Sequence, residues 1–267
     1  MDWFQAAVLA IIQGLTEFLP VSSSAHLILP SQLFGWPDQG LAFDVAVHLG
    51  TLIAVVTYFR DDIQQVIQGL LTTARTRQMN AHAHLGIAVV IGTIPAVVIG
   101  FLFKDFIENN LRAGFVIAVT TISFGILLWI ADIKGKRVLP MEKLTNNHAW
   151  VIGFAQALAL IPGTSRSGIT MTAALMLGFD RTAAARFSML LSIPLIIAAS
   201  ILETYELLSH QGPVPWLLIG FGLILATISA YLCIHYFLKL LERIGMLPFV
   251  IYRMVLGVFL LFFIGLG

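Results

Sequence analysis

The sequence IPGTSRSGIT, residues 161–170, is a polar interruption between two apolar runs, VIGFAQALAL (151–160) and MTAALMLGF (171–179). It places one guanidinium, that of Arg166, among hydroxyl side chains, two glycines and a proline. Pro162 lacks a backbone donor and breaks a helix. Irregular backbone at membrane depth occurs only where protein buries it or where it lines a wet cavity. The stretch therefore predicts a broken helix in a membrane protein, with a polar site at the break.

The amino-acid composition agrees with a chain that lies mostly in lipid. Of the 267 residues, 58% are hydrophobic and 11% are charged, whereas soluble domains contain about 25% charged residues. The formal net charge of +1 gives no reason to expect a nucleic-acid partner, and the single cysteine, Cys233, excludes an internal disulfide. The N-terminus has no basic region or cleavage site, so we expect the first apolar segment to stay in the mature protein.

Six stretches approach the length of about 20 apolar residues that a bilayer-spanning helix needs. They are residues 41–59, 85–104, 115–133, 187–204, 215–238 and 249–267. Two more apolar stretches, 3–29 and 149–177, are interrupted at Pro20 and Pro162. We predict that each forms a re-entrant hairpin, which enters and leaves the membrane on the same side. The alternative is a pair of ordinary kinked spans.

Lysine and arginine residues indicate the orientation. If the span 41–59 runs inward, the inside loops carry 11 of these residues and the outside loops carry only Lys104 and Arg112. This asymmetry is the one that the positive-inside rule requires. It predicts that both the first hairpin and the loop 205–214 lie towards the outer side of the membrane.

The two interrupted stretches also resemble each other. LPVSSSAH (19–26) aligns with IPGTSRSG (161–168) at an offset of 142, which matches Pro20 with Pro162 and Ser23 with Ser165. Each half then contains a hairpin and three spans, and because three is odd the second half is inverted. We therefore predict an all-α integral membrane protein with one domain, residues 1–267. Its two inverted-topology repeats, about 1–140 and 141–267, would each consist of a re-entrant hairpin and three transmembrane helices.

The first hairpin supplies an acid and an imidazole. Glu17 is a carboxylate within an apolar segment, and such a costly group usually has a function, although it can also lie at the membrane interface. Gln13 precedes it by one helical turn. His26 is a proton carrier, a nucleophile or a satisfied core histidine. The serines Ser22, Ser23 and Ser24 begin a helix whose free N–H groups suit an anion.

The second hairpin supplies a cation. Arg166 offers a planar fork that suits two phosphate oxygens, and glycines let backbone approach a ligand closely. The alternative is a structural knot in which Arg166 binds the carbonyls of the broken helix. The predicted substrate-binding residues of both hairpins are Gln13, Ser22, Ser24, Gly163, Thr164, Ser165, Ser167, Gly168 and Thr170. A base, a nucleophile and a phosphate clamp together indicate phosphoryl transfer on a lipid phosphate.

QGLTEFLPVSSSAH (13–26) and PGTSRSGIT (162–170) resemble the two signature regions of the bacterial undecaprenyl-diphosphate phosphatase family, also called the bacitracin-resistance family. The resemblance covers essentially the whole chain, including the A-x-x-F-S stretch at 184–188. It implies hydrolysis of undecaprenyl diphosphate to undecaprenyl phosphate and inorganic phosphate, which recycles the lipid carrier of cell-wall synthesis. It also implies a bacterial inner-membrane protein whose active site faces the periplasm.

The same resemblance implies residue roles. Glu17 becomes the essential carboxylate, Arg166 the diphosphate clamp, and Ser23 and His26 candidates for the nucleophile or the acid–base group. A divalent cation, Mg²⁺ or Ca²⁺, would assist, with Glu17 as its expected ligand. The family's first carboxylate position holds Gln13, which cannot act as a base or bring negative charge to a metal. A homodimer is a further expectation.

Several polar residues and one alternative function remain open. We expect an ion pair between Asp44 and Arg186, which coincide at the repeat offset, and we expect Arg253 to snorkel to the interface. His48 lies within a span and is expected to pack there. His82, His84, His148 and His210 are expected in loops. Because inverted repeats with broken helices are also a transporter architecture, the alternative function is a flippase for the lipid phosphate product.

Overall fold

The computed structural model describes residues 1–37, 39–111, 113–209 and 215–263. In these ranges the chain forms eleven α-helices and two single turns of 3₁₀-helix, at Met141–Lys143 and Leu158–Leu160. The α-helices are α1 Trp3–Thr16, α2 Ser23–Phe34, α3 Leu41–Tyr58, α4 Arg60–Thr76, α5 Ala81–Asn110, α6 Gly114–Lys134, α7 Asn146–Ala157, α8 Arg166–Met176, α9 Arg181–Ser209, α10 Trp216–Ile244 and α11 Leu247–Phe263.

Five of the helices in the described ranges, α3, α5, α6, α9 and α10, are long and apolar enough to cross a membrane. They correspond to five of the six predicted spans and make this a multi-pass membrane protein. The sixth predicted span corresponds to the shorter apolar helix α11, and residues 264–267 lie outside the described residues. Arg112 and residues 210–214, which include His210, also lie outside them.

Both predicted helix breaks are present. Helix α1 ends at Thr16 and α2 begins at Ser23, while α7 ends at Ala157 and α8 begins at Arg166. The four helices contain 14, 12, 12 and 11 residues, and each is shorter than the roughly 20 residues of a span. Helix α1 packs against α2, and α7 packs against α8. The proline-containing interruptions in the sequence thus become turns between short helices.

The two breaks share one backbone turn. Ser22 and Ser165 each precede the second helix with a positive φ, 74° and 70°, a conformation that few non-glycine residues adopt. In both turns this serine bonds the serine two residues later, with Oγ–Oγ distances of 3.1 Å to Ser24 and 3.2 Å to Ser167. Ser22 therefore corresponds to Ser165, which differs by one residue from the sequence alignment. Prolines anchored that alignment, and a proline fits more than one position of a turn.

Glycines let the first arm of each broken helix pack closely on a long helix. A Cβ on Gly14 of α1 would lie 2.8 Å from the carbonyl oxygen of Ala226 in α10. A Cβ on Gly153 of α7 would lie 2.6 Å from the carbonyl oxygen of Gly92 in α5. Such close approach of backbones is how helices associate in membranes. Helix α1 also packs on α3, and α8 packs on α6 and α9, so long helices contact the arms of both breaks.

Candidate active site

Folding brings the acid of the first break to the guanidinium of the second. Nη2 of Arg166 donates a hydrogen bond to Oε1 of Glu17 at 2.9 Å, across 149 residues of sequence. Their side chains are only 11% and 10% exposed. A charge-assisted bond between mostly buried groups is stronger than one on the surface. The two helix breaks, far apart in the sequence, are therefore in direct contact through these two residues.

Glu17 has further partners on its own break. Its Oε2 atom accepts hydrogen bonds from Nε2 of Gln13 at 2.9 Å and from Oγ of Ser23 at 3.1 Å. Gln13 reaches Glu17 because residues four apart lie on the same helix face, and Ser23 reaches it because the break folds α2 back towards α1. The Ser23 hydroxyl is thus within proton-transfer distance of a carboxylate.

Arg166 has partners on α9 as well. Its Nη1 atom donates to the carbonyl oxygen of Ser188 at 3.1 Å, and its guanidinium lies 5.9 Å from the ring centre of Phe18. The Ser188 hydroxyl in turn lies 2.7 Å from Oγ1 of Thr170. Ser188 was not among the predicted site residues, although it ends the A-x-x-F-S stretch at 184–188. Ser188 is a single serine within an apolar helix, and the sequence alone gives no reason to choose it. Its contact with Arg166 depends on the packing of α9 against α8.

Two of the remaining hydroxyl groups connect the two breaks. Oγ of Ser167 donates to the carbonyl oxygen of Leu19 at 2.7 Å, and N–H of Gly163 donates to Oγ of Ser24 at 3.4 Å. Oγ of Ser165 accepts from N–H of Gly168 and caps α8. The hydroxyl of Thr164 is fully buried and has no partner in the described part of the chain. Two of the predicted substrate-binding hydroxyls, those of Ser24 and Ser167, therefore hold the two turns together.

Protein atoms occupy the space where a side chain would extend from each of the two glycines. A Cβ on Gly163, whose φ is 87°, would lie 2.4 Å from the carbonyl oxygen of Ile117 in α6. A Cβ on Gly168 would lie 3.0 Å from Nη1 of Arg253. The structure gives each of these glycines a packing role, and their approach to a ligand stays a prediction. They are needed because helices α6 and α11 pack directly on the second break.

His26 lies in the first turn of α2 but bonds neither Glu17 nor Arg166. Its Nδ1 atom is 2.7 Å from the carbonyl oxygen of Ser22. Its Nε2 atom is 2.6 Å from the hydroxyl oxygen of Tyr252 in α11. The imidazole is 8% exposed. Sequence reasoning found His26 and missed Tyr252, because 226 residues separate them.

Arg253 is fully buried, so the prediction that it snorkels is wrong. Its guanidinium donates to carbonyl oxygens of both breaks, at 3.4 Å to Pro20, 3.1 Å to Gly163 and 3.0 Å to Thr164. It also donates to Thr121 of α6 at 3.0 Å. In the described part of the chain no carboxylate forms an ion pair with it. Broken helices leave carbonyls unsatisfied, and here one arginine binds those of both breaks.

The predicted ion pair between Asp44 and Arg186 is also wrong. Nη2 of Arg186 bonds Oδ1 of Asp62 at 2.7 Å, while Oδ1 of Asp44 accepts from Nε2 of Gln39. Asp62 follows the end of α3 and Arg186 lies near the start of α9, so these helices are antiparallel. Asp44, at the start of α3, therefore lies at the opposite end from Arg186.

Four predicted histidine positions can be compared with the structure. His48 lies within α3, half-buried, with Nδ1 2.8 Å from the carbonyl oxygen of Asp44. His82 and His84 lie in the first turn of α5, and His148 lies in the first turn of α7, so their expected loop positions are wrong. Helix starts rich in polar residues resemble loops in sequence.

A divalent cation would find few ligands here. In the described residues no three His, Cys, Asp or Glu side chains come together in a group that could hold a metal. Among the described residues, Glu17 is the carboxylate that bonds Arg166, and its neighbour Gln13 has a buried Oε1 atom without a hydrogen-bond partner. Mg²⁺ is often bound by one or two carboxylates together with substrate phosphates. A carboxylate and an amide are oxygen ligands of the kind that such a cation accepts.

Comparison with known proteins assigns the family. Residues 6–259 match the family model described as Bacitracin resistance protein BacA. The undecaprenyl-diphosphatase of Alcanivorax borkumensis is 60% identical over 264 residues, which cover 99% of this chain and 100% of the relative. That of Chromohalobacter salexigens is 58% identical, with 98% of each chain covered. With its two broken helices and the Glu17–Arg166 contact between them, the chain belongs to the bacitracin resistance protein BacA family.

Proposed function

We propose that this chain hydrolyses undecaprenyl diphosphate to undecaprenyl phosphate and inorganic phosphate, and so recycles the lipid carrier of cell-wall synthesis. The observation that carries the proposal is the mostly buried contact between Glu17 and Arg166 at the meeting of two broken helices. Relatives that are 54–60% identical over nearly their full length carry the name undecaprenyl-diphosphatase. A membrane phosphatase explains why charged groups lie inside an apolar protein.

In the proposed reaction Arg166 binds the terminal phosphate. Its planar fork fits two phosphate oxygens, and the incoming anion competes with Glu17 for the same Nη2 atom. Glu17 is then released as a general base. Its Oε2 atom is 3.1 Å from Oγ of Ser23, which is within reach for proton transfer.

The geometry favours Ser23 over His26 as the nucleophile, because Ser23 bonds Glu17 whereas His26 bonds neither Glu17 nor Arg166. Oγ of Ser23 forms a bond to the terminal phosphorus while Glu17 accepts the Ser23 proton. The bond between that phosphorus and the bridging oxygen breaks, and undecaprenyl phosphate leaves. Water then hydrolyses the phosphoserine and releases inorganic phosphate. After rapid quenching of the reaction with phosphate-labelled substrate, the label should be found on Ser23. A label on His26 would exclude Ser23 as the nucleophile.

A divalent cation, Mg²⁺ or Ca²⁺, belongs to the proposal as a partner of the diphosphate. Glu17 and Oε1 of Gln13 would hold it on the protein side. When bound, it would neutralise part of the charge on the substrate phosphates. Gln13 contributes no charge, so the protein by itself should bind the cation weakly.

The proposed architecture is a pair of inverted repeats with re-entrant hairpins. Its support is the shared turn at Ser22 and Ser165 and the reciprocal packing of α1 on α10 and of α7 on α5. The charge asymmetry of the loops supports a site that opens towards the periplasm. A cysteine introduced at Ser24 should react with a membrane-impermeant thiol reagent added from the periplasmic side. A homodimer is also expected, and light scattering of the detergent-purified chain would test it.

The deciding experiment is phosphate release by the purified full-length chain in detergent. Undecaprenyl diphosphate, with Mg²⁺ or Ca²⁺, should yield inorganic phosphate in proportion to enzyme and time. The Glu17→Gln variant, prepared in the same way, controls for contaminating phosphatases. Wild-type protein that is well folded but no more active than this variant would overturn the proposal.

A second candidate function is movement of the lipid phosphate product across the membrane. One observation favours it: a cavity of about 680 Å³ lies near the start of α9, lined by Asp62, Arg181, Arg186 and Glu242. Transporters built from inverted repeats present a site alternately to each side. Vesicles that contain the protein should then move a fluorescent prenyl phosphate between leaflets, which a pure phosphatase would not do.

A further inference from the structure

The hydrogen bonds of His26 define its tautomer. A carbonyl oxygen only accepts, so Nδ1, which is 2.7 Å from the carbonyl oxygen of Ser22, carries a hydrogen. The ring is 8% exposed, and in the described part of the chain it forms no ion pair with a carboxylate. A buried imidazole without an anion is neutral, so Nε2 has a free lone pair. The Tyr252 hydroxyl, 2.6 Å away, is the group that donates to it.

Tyr252 reaches His26 from a firmly attached position. The next residue, Arg253, is fully buried and donates to carbonyl oxygens of both helix breaks. These bonds keep this turn of α11 against the site. The Tyr252 ring, by contrast, is 46% exposed and stacks nearly parallel to the imidazole, with 5.4 Å between ring centres. Its backbone is thus held in place, while its hydroxyl lies on the accessible side of His26.

The two partners of His26 differ in how easily they can be replaced. The carbonyl of Ser22 belongs to a buried turn with positive φ, so it stays in place during a reaction. The Tyr252 hydroxyl is a side-chain group at a half-exposed position. Any proton that His26 takes up or gives away must therefore pass through Nε2, at the atom that Tyr252 contacts.

We infer that Tyr252 is a positioning residue for His26: its hydroxyl holds Nε2 in the acceptor form and aims it at the place where a phosphate oxygen of the substrate enters. This inference rests on the proposed phosphatase function. In the resting site the phenol proton stays on Tyr252 and is shared with Nε2. When the substrate binds, a protonated phosphate oxygen passes its proton to the lone pair of Nε2, while Nδ1–H stays on the carbonyl oxygen of Ser22 and the Tyr252 hydroxyl stays beside the ring and keeps its orientation.

A double-mutant cycle tests the link between the two residues. In detergent-purified full-length protein, Tyr252→Phe should lower kcat roughly tenfold, below the hundredfold that a 1 Å misplacement of a reacting group can cost. KM should stay within about twofold, because the hydroxyl acts on His26 and makes no contact with bound substrate. In the His26→Gln background the same change should have no further effect. Equal losses of kcat in both backgrounds would overturn the inference.

Chemical labelling of His26 provides a second test, which does not depend on catalytic turnover. Diethyl pyrocarbonate acylates an unprotonated imidazole nitrogen, and mass spectrometry maps the labelled peptide. Tyr252→Phe keeps the ring and frees Nε2, so His26 should be labelled several-fold faster than in wild type, with His148 as the internal standard. Unchanged labelling at His26 would also overturn the inference.

The matched control is Tyr236→Phe, which removes the hydroxyl of a tyrosine in α10 whose ring packs edge-to-face on His235. It should change neither kcat nor the labelling of His26. If wild-type protein releases no phosphate but Tyr252→Phe still speeds labelling, the proposed function fails and the contact between Tyr252 and His26 stands. If turnover is normal and labelling is unchanged, the positioning role fails and the phosphatase function stands.

Discussion

The two helix breaks use the same backbone turn and carry opposite chemistry. In each, a serine with positive φ, Ser22 or Ser165, bonds the serine two residues later. The residue after this serine is Ser23 in the first break and Arg166 in the second. The matching positions therefore hold a hydroxyl that bonds Glu17 and a guanidinium that bonds the same carboxylate. A repeated turn provides the geometry, and the side chains that differ between the two copies provide the polar contacts with Glu17.

The largest expected effect comes from removing the side chains that differ. Glu17→Gln and Arg166→Ala should each lower kcat by about 10²–10³, the loss typical of a missing transition-state contact. Phosphate release by the purified variants measures this. Arg186→Ala is the control. Arg186 also lies on α9, but its ion pair, 2.7 Å to Asp62, is away from Glu17 and Arg166. Wild-type turnover in either of the first two variants would remove that residue from the site.

A smaller effect should follow from removing the contact that the two breaks share. Arg253→Met leaves buried carbonyls of both breaks without a donor, at a cost of about 1–3 kcal/mol for each unsatisfied group. We expect a clear fall in the thermal midpoint in detergent, partly restored in Arg253→Lys. The exposed Arg243 of α10 serves as the control position. If Arg253→Met and Arg243→Met unfold at the same temperature, Arg253 does not hold the breaks together.

An effect of intermediate size is expected when the two buried glutamines, Gln13 and Gln156, are each replaced by glutamate. Gln13 and Gln156 both lie before a break, and each has a buried Oε1 without a partner in the described part of the chain. Only Gln13 lies beside Glu17. A second charge there should lower the cation concentration for half-maximal turnover at least roughly fivefold, since a charge pair near 4 Å contributes about 1–4 kcal/mol. Gln13→Glu should show this shift and Gln156→Glu should not; equal cation midpoints would exclude Gln13 from the cation site.

The smallest expected difference lies in the turn serines themselves. Oγ of Ser165 caps α8 by accepting from N–H of Gly168, whereas Ser22 makes no side-chain cap of α2. Ser165→Ala should therefore cost about 1 kcal/mol more stability than Ser22→Ala. Denaturation followed by circular dichroism in detergent compares the two variants. Equal losses would mean that the cap does not stabilise the second break.

Much of the candidate site could be predicted from residues that are uncommon within lipid. A carboxylate, a guanidinium and two prolines inside apolar runs identified Glu17, Arg166 and both breaks. Arg253 and Tyr252 were harder to interpret, because an arginine or tyrosine near the end of an apolar helix often lies at the membrane interface. Their roles depend on α11 packing against α6, which no local pattern indicates. No local pattern indicates the antiparallel contact of α3 with α9 either, and this contact excluded the ion pair between Asp44 and Arg186.

The amino-acid sequence by itself determined that the chain is helical and lies in a membrane, because apolar length and helix-breaking residues act locally. It also indicated which charged residues have a functional or structural role, because burial of a charge in lipid is costly whatever the fold. Only the tertiary structure placed Glu17 against Arg166, Tyr252 against His26, and Arg253 against both breaks. Such contacts depend on how helices far apart in the chain pack, and that is settled by the sum of many side-chain fits across the whole protein.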